Sequence, residues 1–85
     1  MPKFRNDSNG RLVVSRKDMV KALTSLGYYP VRMSGDHLIM KEHGGQHMTG
    51  VAVSGIKELG QGEMSRILND TGQTKEDIIW ALKRR

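Results

Sequence analysis

Eighty-five residues suffice for one hydrophobic core and no second, because a chain this short buries only a modest share of the surface its unfolded form exposes. There is no cysteine, which removes disulfides, thiol chemistry and cysteine-ligated zinc. No apolar run approaches the roughly 20 residues of a membrane helix, and no signal-like segment opens the chain. Fourteen Lys plus Arg against nine Asp plus Glu leave a formal charge of +5, which suits a cytoplasmic domain whose partner is a polyanion, nucleic acid first.

Residues 1–14 carry Pro2, the turn cluster Asn6-Asp7-Ser8-Asn9-Gly10 and then Leu12-Val13-Val14, and they are expected to form a mobile N-terminal arm with room for one short strand. The single domain is expected over 15–85. Ser15-Arg16-Lys17-Asp18 has capping-box spacing and opens a helix. Met19, Val20, Leu23 and Leu26 line one face of it, and Gly27 ends it. From Tyr28 to Val53 the apolar period becomes two, and turns at Gly35-Asp36 and Gly44-Gly45 divide the stretch into three antiparallel strands.

Two-residue loops at both turns pair Ser34 with His37, Arg32 with Ile39, Pro30 with Lys41, Lys41 with Met48 and Ile39 with Gly50. Tyr29, Val31, Met33, Leu38, Met40, Val51 and Val53 then share the face that meets the helices. Arg32, Ser34, His37, Ile39, Lys41, Gly50 and Ala52 share the other. A slip by one residue would bury Arg32 and Lys41. After a loop over 54–59, a helix begins near Gly62 and stops at Gly72, with Met64, Ile67 and Leu68 inward. Thr74-Lys75-Glu76-Asp77 is a second capping box, opening a last helix that carries Ile78, Ile79 and Leu82. The order of helix, three antiparallel strands, helix and short C-terminal helix is that of an α+β domain.

His37 is the most informative residue. It follows the Gly35-Asp36 turn on the polar face, and histidine is the side chain suited to proton transfer near neutral pH. Arg32 lies diagonally across the hairpin at roughly 7–8 Å, within reach of a shared phosphate, and Gly50 and Ala52 leave room above the sheet. Cleavage of RNA without a metal needs one group to take the 2′-hydroxyl proton, another to protonate the leaving oxygen, and cations to steady the charged phosphorane. His37 suits the first role, with Ser34, Gly35 and Asp36 supporting it and Asp36 able to orient the ring. Arg32, Lys41 and Lys57 suit the phosphate, and the start of the helix near Gly62 offers free amides for it. Lys57 and that helix start are both expected close to His37, because the end of the third strand runs alongside the beginning of the second. The same residues also fit a solvated surface with one exposed histidine, since no single spacing here is decisive.

His37, His43 and His47 do not make a metal triad in this register, because His43 falls in the second turn and His47 at the far end of the sheet. No cofactor is expected. Most of the methionines fall at inward positions and read as core filler, with Met48 on the polar face. Lys83-Arg84-Arg85 complements the C-terminal end of the last helix.

Taken together, Leu26-Gly27-Tyr28, Gly35-Asp36-His37 after a basic strand, and Lys57-Glu58-Leu59 through Gly62 to Ile67-Leu68 resemble the HicA family of toxin ribonucleases over about residues 15–84. The resemblance implies a double-stranded-RNA-binding-domain-like fold and metal-independent cleavage of mRNA. It further implies a HicB-type antitoxin that masks the site, and a catalytic histidine at the position of His37. The family usually has Ser where this chain has Asp36, and often a Pro-x-His segment where this chain reads Val51-Ala52-Val53-Ser54. The alternative is a non-catalytic RNA-binding module, or a toxin that has lost its activity, acting through the same basic sheet face.

Overall fold

The computed structural model describes residues 4–84. Strands β1 (Phe4–Asn6) and β2 (Leu12–Val14) form a hairpin. It is followed by α1 (Arg16–Ser25), the antiparallel sheet β3 (Tyr28–Ser34), β4 (His37–Glu42) and β5 (Met48–Ala52), and the helices α2 (Gln61–Thr71) and α3 (Lys75–Lys83). This is an α+β domain with helix, three-stranded meander and helix in the order of the double-stranded-RNA-binding-domain-like fold.

The helix boundaries follow from the capping residues. The Ser15 hydroxyl accepts from Asp18 N at 3.0 Å, and the Thr74 hydroxyl accepts from Asp77 N at 3.1 Å while the Asp77 carboxylate accepts from Thr74 N at 2.9 Å. Gly27 and Gly72, at φ of 98° and 69°, close α1 and α2 in the left-handed region that an L side chain avoids. The helices cover one face of the sheet. Met19, Ala22 and Leu23 of α1, Met64 and Ile67 of α2, and Ile78, Ala81 and Leu82 of α3 are buried with Tyr28, Met40 and Val51 of the sheet.

The residues expected as an N-terminal arm are, from residue 4 onward, part of this body. Leu12 and Val14 are buried in the core, Ser15 bridges Glu58, and Val14 O accepts from Leu59 N at 3.0 Å. Three consecutive apolar residues have too much to gain from burial to stay in solvent.

The register matches the sequence reading at Ser34–His37, Arg32–Ile39, Ile39–Gly50 and Lys41–Met48, and departs from it below Arg32. A bulge between Pro30 and Arg32 pairs Pro30 with Met40 and Tyr29 with Lys41. Proline has no N–H to donate to the ladder, and the extra residue absorbs the break. One consequence is that Tyr28, not Tyr29, is the core tyrosine. Tyr29 turns outward, where its ring meets that of His43 at 4.4 Å. The other is that Val31, expected inward, is half exposed. Met33, which keeps its expected pairing with Leu38, and Val53 beyond the end of β5 are half exposed as well.

Candidate functional site

The β3–β4 turn places His37. Gly35 takes φ of 60° while Asp36 keeps a negative φ, the pattern of a type II′ turn, so the two strands meet at once and His37 begins β4 opposite Ser34. Asp36 is then bonded through both oxygens. Oδ1 lies 3.0 Å from His37 Nδ1, and Oδ2 accepts from the Ser54 hydroxyl at 2.7 Å. The backbone ties the same two segments together, with Val53 N donating to Asp36 O at 2.8 Å. The Ser54 hydroxyl, helped by His37, holds the Asp36 carboxyl below the usual carboxylate range.

The His37 ring lies over Gly50, where a Cβ would stand 3.6 Å from both Cβ and Cδ2 of the histidine. With Nδ1 engaged by Asp36, the ring keeps Nε2 for a ligand. Both side chains are about half exposed. Arg32 lies one pair down the hairpin on the same face, beside Ile39, and Lys41 lies below Ile39 on β4. Neither Arg32 nor Lys41 is engaged in an ion pair among the described residues. A histidine with one ring nitrogen free, two unspent cations and a glycine floor therefore share the outer face of the sheet.

Two expected elements are placed differently. The side chain of Lys57 lines grooves beside α1 with Ser15, Asp18 and Lys21, and His37 is not among their walls. The N-terminus of α2 is already filled. Glu63, in its first turn, accepts from Gly60 N at 3.1 Å and pairs with Arg16 through both oxygens, so a phosphate there would have to displace a carboxylate. Arg16 and the Gly60 amide lower the Glu63 pKa, while Glu63, and to a smaller degree Asp36, raise that of Arg16. The other two histidines stand at the opposite end of the sheet, His43 against Tyr29 and His47 bonded to Glu42 at 2.9 Å.

Three residues contribute to the site that sequence reasoning did not single out for it. Ser54 supplies the hydroxyl that holds Asp36. Arg16 donates to Ala52 O at 3.2 Å and to Ile56 O at 2.6 Å, fixing the loop that carries Ser54. The signal for Arg16 was a cation in the first turn of a helix, against the dipole, which needs an acidic partner. Arg66 reaches from α2 to Gly50 O at 2.7 Å and to Asp70 at 3.1 Å. Asp70 in turn accepts from the buried Thr49 hydroxyl at 2.9 Å.

Compared with protein families, residues 16–73 match the model described as HicA toxin of bacterial toxin-antitoxin. That span runs from α1 through the sheet to the end of α2 and includes every residue of the arrangement around His37. Neither the curated proteins nor the solved structures yielded a match.

Proposed function

Because the chain belongs to the HicA toxin family, we propose that it is a metal-independent endoribonuclease toxin that cleaves mRNA, uses His37 as its general base and is neutralised by a HicB-type antitoxin. The observation that carries this reading is the Ser54–Asp36–His37 chain of hydrogen bonds, which presents the free imidazole nitrogen on an exposed face beside two unspent cations.

The chemistry follows from the parts. Asp36 accepts a hydrogen bond from Nδ1–H, and Nε2 is left to take the proton of a 2′-hydroxyl. The freed oxygen attacks the adjacent phosphorus, and the bond to the 5′-oxygen of the next nucleotide breaks. Arg32 and Lys41 hold the phosphate and offset the charge that grows on it, with Lys57 extending the positive surface on the α1 side. Ser54 stands where the family often carries a second histidine, and its hydroxyl is committed to Asp36, so the leaving oxygen draws its proton from solvent. The Gly50 floor gives the ribose room to approach the ring.

Induced expression of the wild type and of His37→Ala, with growth and the integrity of cellular RNA followed together, tests the reading. The expected result is growth arrest and RNA decay with the wild type alone, while both proteins unfold at similar temperatures. Equal RNA decay with both would remove His37 from the mechanism. If the wild type binds RNA with a steep salt dependence and cleaves none, the non-catalytic module is the correct reading.

A further inference from the structure

Beneath the β3–β4 hairpin, on the side opposite His37, apolar surface is left uncovered. Leu38 is only partly buried, and Met33, its cross-strand partner, is 51% exposed. Past the end of β5, Val53 is 48% exposed. Leu38 and Val53 join Val20 of α1 as the floor of a groove of about 350 Å³, whose remaining walls are Arg16, Lys17 and Lys21. A second groove shares Arg16, Lys17, Lys21 and Val53 and continues to Gly55 and Lys57, with Ser15 and the single carboxylate of Asp18 set among the cations. The two make one trough with an apolar floor and a cationic rim. Arg16 is spent on Glu63, whereas Lys17, Lys21 and Lys57 form no ion pair among the described residues.

An occupant of this trough must offer aliphatic side chains between carboxylates. RNA would satisfy the lysines but not the floor, which has no aromatic ring for a base to stack on. A second copy is disfavoured by charge, since each copy carries +5 and a two-fold contact would set one lysine rim against another. We propose that the trough is the docking surface for the antitoxin, which fills it with an amphipathic segment whose acidic residues flank Leu, Ile or Val. The proposal rests on the toxin reading above and names the surface its partner uses.

The position of the trough supplies a mode of inhibition. Leu38 adjoins His37 in sequence, Val53 adjoins Ser54, and Val53 N is bonded to Asp36 O. A segment seated there lies against the β3–β4 turn from below and bears on the segments that hold Asp36 through Val53 N and the Ser54 hydroxyl, so it acts on the site without any contact to the imidazole. Such a partner is attracted by charge and held by apolar burial, so its association slows as salt is raised.

The test uses the full chain with a HicB-type antitoxin purified as the complex formed on co-expression. Lys17→Glu/Lys21→Glu is expected to weaken the complex by at least about tenfold at low salt, and Val20→Asp to weaken it at every salt concentration, with RNA cleavage by both variants unchanged. The double-lysine variant alters only surface charge, so it remains informative if Val20→Asp fails to fold. Unchanged affinity in the double-lysine variant overturns the proposal. So does a loss of RNA affinity without a loss of antitoxin affinity, which assigns the trough to RNA. Self-association of the wild type that Val20→Asp abolishes overturns it in favour of a second copy. If the wild type cleaves no RNA but the variants still lose the antitoxin, the catalytic reading fails and the docking surface stands.

Discussion

The imidazole of His37 rests on Gly50, and the size of residue 50 therefore sets where the ring can lie. A methyl group at that position would meet His37 at 3.6 Å, ordinary contact, and Ile39 Cδ1 at 3.2 Å, a tighter approach that the end of a flexible side chain can relieve. Gly50→Ala is expected to cost less than about 1 kcal/mol and to leave cleavage largely intact. The two extra methyls of Gly50→Val reach into the space of the ring. That variant should lose cleavage out of proportion to any change in unfolding temperature, and a Gly50→Val protein that cleaves at the wild-type rate would show that the ring does not need this seat.

In the proposed mechanism Asp36 acts on His37 by holding a proton in place, so its effect should appear in rate rather than in binding. Asp36→Asn keeps the shape but can present its amide N–H₂ to Nδ1, favouring the other tautomer. The expected loss in kcat is at least ~10-fold with KM little changed. Ser54→Ala should cost less, since Asp36 keeps its bond to the ring, and Ser54→Thr should restore the rate. The Ser54 hydroxyl also keeps Asp36 charged further into acid, so in Ser54→Ala the Asp36 carboxyl should titrate at higher pH when followed by carboxyl-carbon NMR. An identical Asp36 titration in wild type and Ser54→Ala would refute the coupling.

The Arg16–Glu63 pair should matter to stability. The Arg16 side chain is only 13% exposed and bonds a carboxylate and two carbonyls at once. Arg16→Ala leaves those acceptors unmatched and is expected to cost about 2 kcal/mol, after discounting for the partly exposed Glu63. For a domain of this size that corresponds to a fall in Tm of about 8–16 °C.

The pH dependence has a definite sign. The folded-state pKa of Glu63 is depressed, first by Arg16 and then by the Gly60 amide. Its contribution is therefore complete above the unfolded value, about 4.3, and disappears as the pH falls through the lower folded value. Glu63→Gln should be less stable than wild type at neutral pH and should lose less on acidification. Parallel curves in urea unfolding between pH 7 and pH 3 would contradict this.

Tyr28 and Tyr29 are adjacent in sequence but should respond oppositely to truncation. Tyr28 is 1% exposed, and its hydroxyl donates to Thr71 O at a long 3.3 Å. Tyr28→Phe should cost only about 0.5–1 kcal/mol, whereas Tyr28→Ala should cost about 3–5 kcal/mol and leave little folded protein. Tyr29→Ala, which removes only an outward ring, is expected to stay within about 1 kcal/mol of wild type in thermal unfolding.

That contrast also marks the limit of what the sequence made legible. The helix starts, the two strand turns and the pairing of Ser34 with His37 could be read directly, because capping hydroxyls and glycines act on their immediate neighbours. The slip at Pro30 could not, because periodicity assumes an unbroken ladder and one unpaired residue exchanges Tyr28 for Tyr29. Around His37, the turn, Arg32 and the glycine floor were readable from strand register. The bond from Ser54 to Asp36 joins residues 18 positions apart, and Glu63 fills a helix end that looked open. Both depend on how a loop of irregular backbone is folded back, which no spacing encodes.

The Arg66 bond to Gly50 O has a consequence for assembly. A strand at the margin of a sheet invites another chain to extend it through backbone pairing. On β5, the outermost strand on one side, Arg66 takes up a carbonyl that an incoming strand would need. On β3, at the other side, Pro30 offers no N–H and the bulge beside it bends the rail. Both margins are thus blunted against strand addition, and a protein that attaches to this one must read its side chains instead of lengthening its sheet.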